Sequence, residues 1–257
     1  MQRANRHRTI IAAVRGGDEV RASDLVRATG ASAMTIRRDL SDLERRGVLR
    51  RIHGGAVGLP ARGAQLPFQV RSETHVEEKR GIGEAVAAMI PDGSSVILDD
   101  GTTCGAVARA LAGRELTVLA LSVHLAAVLA EGGDASGRGI RVLTPGGELN
   151  PGELSWSGHR AVRDIEDFRA DIGVLGVCGW DEESGMTAST LQDADVKKAL
   201  IGSSRQVVAA AAAEKIGLSA VFSVCPSSAV DTLATGRLSR ERRLWLEQEG
   251  VDVVCCA

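Results

Sequence analysis

Lysine is scarce in this 257-residue chain: Lys79, Lys197, Lys198 and Lys215 stand against 27 arginines. Where arginine is the default cation, a retained lysine marks a place that suits a compact point charge better than a planar fork. Lys197 and Lys198 have a second reading, as ordinary surface residues of a helix. Long apolar runs are absent, and none reaches the ~20 residues that a membrane-crossing helix needs. The arginine-rich N-terminus has no apolar core of the kind that marks a secretory signal. Five cysteines are present, yet no two form a C-x-x-C pair, and Cys255 and Cys256 are adjacent. That spacing suggests neither a disulfide framework nor a zinc site, so the reducing cytoplasm is the expected compartment and no metal or cofactor is expected.

What is present is an ordinary globular composition, 44% hydrophobic and 25% charged, with a net charge of −2 that hides an asymmetry. Residues 1–60 hold twelve arginines against six acidic residues, a net +6, while the remainder holds 19 basic against 27 acidic residues, a net −8. A basic head on an acidic body points to a polyanion partner for the head. A solvated charged surface is the other reading, and composition does not separate the two.

The head reads as three helices and a β-hairpin. Arg8 to Val14 places Ile10, Ile11 and Val14 on one stripe, and Gly16-Gly17 ends that helix. Ser23 is placed as the cap of a second helix with Leu25 and Val26 inside, and Thr29-Gly30-Ala31 is a tight turn. Ser32 caps a third helix that stops at Gly47. On it Ile36, Leu40 and Leu43 face inward, while Met34, Arg37, Arg38 and Ser41 face outward. Paired guanidinium groups on an exposed stripe suit guanine edges or phosphates, with Ser32 to Thr35 near the backbone or bases. Apolar–basic segments then surround a Gly-Gly turn, Val48 to Val57, and form a wing whose Arg50 and Arg51 reach flanking phosphates. His53 at its tip either touches DNA or stabilises the turn.

Thr35-Ile36-Arg37-Arg38-Asp39-Leu40, Leu43-Glu44-Arg45-Arg46-Gly47 and Arg51-Ile52-His53-Gly54-Gly55-Ala56 together resemble the signature of the DeoR family of bacterial transcriptional regulators. By that resemblance Asp39 orders the recognition helix through a local ion pair rather than touching bases.

The fold class expected is α/β: a winged helix-turn-helix over 1–58, a Gly/Pro-bearing linker over 59–74, and an α/β effector domain over 75–257 with a largely parallel sheet. A helix over about Glu77 to Ile90 leads to the strand Ser95–Asp99. Further strands are expected at Leu116–Leu121, Ile140–Thr144, Ile172–Val177, Gln206–Ala211, Ala220–Val224 and Val251–Cys255. The first strand runs into Asp99-Asp100-Gly101-Thr102-Thr103 and then a helix, an arrangement that offers backbone N–H groups to an anion. A plain tight turn with threonine caps gives the same pattern.

The body, too, is similar to the DeoR-family effector domain, through Asp99 to Thr103, Thr144-Pro145-Gly146-Gly147-Glu148-Leu149, Phe168-Arg169-Ala170-Asp171, Gly185-Met186-Thr187, Val196-Lys197 and Lys215-Ile216-Gly217. The resemblance implies a fold akin to ribose-5-phosphate isomerase and a phosphorylated sugar or related metabolite as effector. Asp99, Gly101, Thr102, Thr103, Gly146, Gly147, Lys197 and Lys215 are its expected contacts. It also implies a repressor of carbohydrate-metabolism genes acting on a double-stranded DNA operator, as a homo-oligomer that is at least a dimer. Three segments depart from the family pattern: Ala120-Leu121-Ser122 for Thr-Asn-Ser, Ala212-Ala213-Glu214 for Asp-Ser-Ser, and Ala234-Thr235-Gly236 where an Asp is usual. Each is expected to strip a polar group from the ligand cleft.

An isomerase with an appended head is the rival class. The matching acidic loop holds Asp181, Glu182 and Glu183 but no following lysine, so no catalytic residue is expected. A DNA-packaging protein has no use for a metabolite-sized body. Leu238, Leu244 and Leu246 on the last helix suit a core or an interface equally.

Overall fold

The computed structural model describes residues 3–14, 19–58, 66–132 and 139–256. Gly16-Gly17, Pro60 and Gly63 lie outside the described residues. The chain divides into two compact units, Met1–Thr74 and His75–Ala257.

In the first unit α1 (Arg3–Ala13), α2 (Ala22–Thr29) and α3 (Ala33–Arg45) enclose Ile10, Ile11, Val14, Leu25, Ile36, Leu40 and Leu43. The first helix begins five residues before the expected Arg8. The second is not capped by Ser23: it starts at Ala22 behind Arg21, whose side chain makes no cap bond. Ser32 does cap α3, its Oγ accepting from the Thr35 N–H at 3.2 Å. The wing is the antiparallel pair β2 (Leu49–Ile52) and β3 (Gly55–Gly58), to which the short β1 (Glu19–Arg21) adds on the β3 side. Gly55 is needed there, because a Cβ at that position would sit 2.0 Å from the Val20 carbonyl oxygen. The expected linker is not wholly open chain. Its end forms α4 (Phe68–Ser72), and Val70 and Leu66 pack on the first unit's core.

The second unit is built on a seven-stranded, wholly parallel sheet. Its strands are β4 (Ser95–Leu98), β5 (Thr117–Ala120), β6 (Arg141–Leu143), β9 (Ala170–Gly176), β12 (Ser204–Ala211), β14 (Thr232–Thr235) and β15 (Asp252–Cys255). The spatial order is β15-β14-β12-β9-β4-β5-β6. Both faces are covered, as continuous apolar strands require. On one face Val96, Leu98, Val118, Ala120 and Val174 meet α5 (Val76–Met89), α6 (Gly101–Leu111) and α7 (Val123–Glu131). On the other Ile97, Leu119, Leu121, Leu175 and Ala209 meet α8 (His159–Glu166), α9 (Leu191–Ser203) and α10 (Arg240–Gln248). Within α10, Leu246 is core and Leu238 just ahead of it packs against that core, while Leu244 stays exposed.

Two antiparallel additions were not anticipated: the hairpin β7 (Glu148–Asn150) and β8 (Ser155–Ser157), and a sheet of β10 (Gly179–Asp181), β11 (Gly185–Ala188) and β13 (Phe222–Cys225). The expected strand over Ala220–Val224 is therefore real but shifted, and it belongs to this small sheet rather than the main one. Among the described residues no helix is long and apolar enough to cross a membrane.

Candidate functional sites

The recognition helix is held by its buried side. Asp39, inside the fold, accepts from Arg6 Nε at 2.8 Å and Nη2 at 3.3 Å, and its Oδ1 lies 3.2 Å from His7 Nε2. Burial pushes the Asp39 carboxyl up, but Arg6 and His7 outweigh it and hold the group below the usual carboxylate range. The pair is not local as expected. It ties α3 to α1 across more than thirty residues of sequence, which is why periodicity along α3 gave no hint of Arg6 or His7.

The outer side of α3 carries Met34, 59% exposed, with Arg37 and Arg38 also exposed. Arg37, Arg38 and Arg50 enter no ion pair among the described residues, whereas Arg3, Arg6, Arg27, Arg45 and Arg46 all do. Ser32 and Thr35 hydrogen-bond each other, Oγ to Oγ1, at 2.9 Å. Ser41 and Arg51 are engaged as a brace: Arg51 Nη1 donates to Ser41 Oγ at 2.8 Å, and the Arg51 amide donates to Glu44 Oε1 at 2.8 Å. This brace sets the angle between helix and wing. His53 and Gly54 form the exposed wing tip.

In the body, the strand order reverses direction between β4 and β9. Chain that leaves β4 moves outward through β5 and β6, while β9 starts the other half. Such a switch point opens a crevice at the carboxyl ends of the two strands. Asp99, Asp100 and Gly101 leave β4 there, and Gly101 takes φ +92°, a backbone state that favours glycine and starts α6. Thr102 is buried and Thr103 half-buried in the first turn of that helix. Asp100 stands at the N-cap but makes no side-chain cap bond.

Lys197 reaches the same crevice from α9. Its ammonium donates to Asp99 Oδ2 at 2.5 Å and lies 3.0 Å from Asp193 and 3.8 Å from Asp100. Only 1% of the Lys197 side chain is exposed, which overturns its reading as a surface residue; Lys198 is the exposed one. Burial works against the ammonium, but three carboxylates outweigh it, so Lys197 stays charged. Asp99 also accepts the Gly176 N–H at 2.8 Å from β9. Burial drives the Asp100 carboxyl up to about 7, against the pull of Lys197. The Cys178 thiol donates to Asp193 Oδ2 at 3.2 Å and is pushed by burial up to about 12. Asp193, Asp100 and Cys178 were not singled out in sequence as partners of Lys197; an i, i+4 Asp–Lys pair on a helix was the one signal available.

The remaining expected contacts sit at other strand ends. The Gly146 N–H donates to Asp164 Oδ2 at 2.7 Å, and a Cβ on Gly147 would lie 2.5 Å from the Ser157 carbonyl oxygen, so this pair fastens the β7–β8 hairpin and α8 to the end of β6. Lys215 closes a 3₁₀ turn after β12. That turn is bound to the start of α5: Ala213 N–H donates to Glu78 Oε1 at 2.7 Å, and His75 bridges Glu78 and Glu214 at 3.1 and 3.3 Å.

The family departures also resolve in space. Ala120, Leu121 and Ala212 are core residues, so an apolar side chain there fills the interior. A Cβ on Gly236 would meet Glu78 Oε1 at 2.1 Å. The Glu78 carboxylate thus occupies the room that an Asp at this position would need. The acidic loop of the isomerase reading is a hairpin turn, with Asp181 Oδ1 accepting the Ser184 N–H at 2.6 Å.

Comparison with known proteins agrees with both units. Residues 6–59 match the DeoR-like helix-turn-helix domain and residues 74–237 the DeoR C-terminal sensor domain. The chain is 33% identical over 236 residues to the glycerol-3-phosphate regulon repressor of Escherichia coli K12, covering 91% of each chain. It is 32% identical over 222 residues to the transcriptional repressor GlcR of Bacillus subtilis, covering 86% of this chain and 83% of that one. Ribose 5-phosphate isomerase A of Methanocaldococcus jannaschii superposes on 56% of this chain and 55% of its own at a TM-score of 0.40 and 12% identity, a likeness too slight to bear on chemistry. The chain belongs to the DeoR family and is a DNA-binding transcriptional regulator, not an enzyme, with a helix-turn-helix head and a C-terminal sensor domain.

Proposed function

We propose that this regulator is a cytoplasmic repressor of carbohydrate-metabolism genes, released or redirected by a small phosphorylated sugar or polyol bound in the body. The observation that carries the effector reading is the crevice between β4 and β9. There a Gly-Thr-Thr helix start, Gly101 to Thr103, adjoins the buried Lys197–Asp99 pair. The helix N-terminus attracts the anion, and the Asp99, Asp193 and Lys197 cluster offers acceptors and donors to hydroxyl groups. Lys215 adds positive charge from the end of β12, and Gly146 and Gly147 shape the end of β6. The relatives named for glycerol 3-phosphate favour a compact polyol phosphate over a bulky one.

In the head, Arg37 and Arg38 read or clamp the major groove, with Met34 and the Ser32–Thr35 turn beside them. Arg50 and His53 on the wing meet flanking phosphates, and Ser41 with Arg51 orients the wing. The protein acts as a homo-oligomer, at least a dimer, whose paired heads span half-sites about one helical turn or a multiple apart. The effector changes DNA affinity only to the extent that it binds the free and DNA-bound forms unequally.

The test is fluorescence anisotropy with duplex DNA from upstream of the gene, at fixed salt, titrated with sn-glycerol 3-phosphate and hexose phosphates. Sequence-selective binding shifted by one of these compounds is the expected result. Binding no tighter than to random DNA across a genome-wide selection would contradict the operator reading; selective binding that no compound moves would contradict the effector reading.

A further inference from the structure

The outer side of α9 presents a stripe whose residues fit one another better than they fit their own chain. Leu191, Asp195, Lys198 and Gly202 are spaced at helical intervals and so lie along one face. All four are exposed, Leu191 by 52%. Asp195 and Lys198 enter no ion pair among the described residues, whereas Asp193 and Lys197 on the buried side of the same helix pair with each other. Gly202 is the odder member. It lies in the last turn of α9 without a positive φ, and a Cβ there would meet nothing within 4 Å. A glycine inside a helix costs about 1 kcal/mol against alanine, and neither backbone conformation nor packing within this chain calls for one here.

The stripe is self-complementary when the helix is reversed. About a point midway between Val196 and Lys197, Asp195 mirrors Lys198 and Leu191 mirrors Gly202. A two-fold axis perpendicular to α9 at that height, lying in the contact plane, lays a second α9 antiparallel over the first. Each Asp195 then faces the partner's Lys198, and each Leu191 enters the notch left at the partner's Gly202. α8 repeats the charge pattern beside it. It runs parallel to α9, since the two helices lead into the neighbouring parallel strands β9 and β12. A groove of about 840 Å³ lies between them, and its walls include His159 and Leu191, the first residues of the two helices. Arg163 and Glu166 line the same groove at the heights of Asp195 and Lys198, with the signs exchanged. They too are exposed and make no ion pair among the described residues. The same axis sets each Arg163 against the partner's Glu166, so one symmetry operation pairs both sets of opposite charges.

We infer that the outer face of α9, flanked by α8, is the contact with a second copy of this chain, packed antiparallel about this axis. The inference rests on the homo-oligomer reading and names the surface that carries it. Charge complementarity of this kind fixes the orientation, because a parallel two-fold pairing sets Asp195 against the partner's Asp195. The buried side of the helix holds Asp193 and Lys197 of the proposed effector crevice, so contact and crevice share one element.

The experiment is sedimentation velocity on the full chain at fixed low salt. The samples are wild type, Asp195→Lys, Lys198→Glu, an equal mixture of these two variants, and Gly202→Leu, with far-ultraviolet circular dichroism of each to check folding. Either charge variant alone carries one sign at both positions. Its self-association should weaken about tenfold or more, from dimer to monomer or from tetramer to dimer. The mixture should regain wild-type assembly, because each variant then faces its opposite across the axis. Gly202→Leu should weaken association in a chain that stays folded, since its side chain has room within its own chain. Wild-type assembly in both charge variants, or in Gly202→Leu, would overturn the inference and leave the oligomer reading standing. Charge variants that remain apart on mixing would overturn it too, as would loss of assembly accompanied by loss of helical signal. A wild type that is monomeric at every concentration would reject the oligomer reading itself.

Discussion

At the proposed effector crevice, Asp100 is the group whose charge changes near neutral pH. Burial lifts its carboxyl to about 7, so near neutrality it passes between a neutral form compatible with an adjacent anion and a charged form that repels one. Effector affinity should therefore fall as pH rises from about 6.5 to 8.5, and calorimetry on Asp100→Asn should show that dependence largely removed. A dependence retained in full by Asp100→Asn would locate the titration in the ligand. Arg37 offers a second single-residue test. It is exposed and unpaired among the described residues on α3, so Arg37→Ala should cost roughly 1–3 kcal/mol of operator binding and relax preference at one base position. A uniform loss on every sequence, with the slope of log affinity against log salt reduced by about 1, would assign Arg37 to a phosphate instead.

At the scale of elements, the wing depends on close backbone approach as much as on its arginines. Gly55→Ala puts a methyl group 2.0 Å from the Val20 carbonyl in the absence of movement, so β1 and β3 must part and the β1–β3 ladder is lost. Head stability should drop by about 1–3 kcal/mol, the range for overpacked sites, and operator binding should weaken with Arg50 and Arg51 unaltered; chemical denaturation with anisotropy on the same sample checks both. Legibility varied with element type for a physical reason. α3 was readable to within a residue because Ile36, Leu40 and Leu43 repeat at helical spacing between Ser32 and Gly47. The central strands were readable because burial on both faces makes them continuous apolar runs. The strands at β1, β7, β8, β10 and β11 were not, since none of these short segments is a continuous apolar run and each is held by a partner strand elsewhere. Thr232–Thr235 was missed as the strand β14, its small residues packing within the main sheet.

Across the whole chain, one polar cluster marks where the second unit begins. His75, its first residue, adopts φ +53° and is paired with both Glu78 and Glu214. Glu214 first, then Glu78, raises the imidazole to about 9 from an ordinary 6.5. A group whose folded value is raised adds stability that is complete below about 6.5 and is lost as pH rises through about 9. Denaturant unfolding of the body should accordingly weaken between pH 6.5 and 9.5, and His75→Gln should flatten that slope; an unchanged slope would mean the pairing does not persist in solution. The same cluster explains why the family departures at Ala212 to Glu214 and at Gly236 do not leave a gap, since Glu78 fills the place between them.

Local sequence determined a good deal by itself. The T-I-R-R-D-L string, the His-Gly-Gly tip and the charge asymmetry identified the head as a DNA-binding unit, because helix periodicity, turn chemistry and net charge are properties of neighbours along the chain. The Asp99 to Thr103 turn was legible for the same reason. What only the tertiary structure decided is who meets whom across the chain. Arg6 and His7 on Asp39, and Lys197 on Asp99 and Asp100, each join residues far apart in sequence. Their meeting is fixed by strand order and register, which arise from packing the whole sheet between its two helical layers and leave no mark in any short stretch of residues.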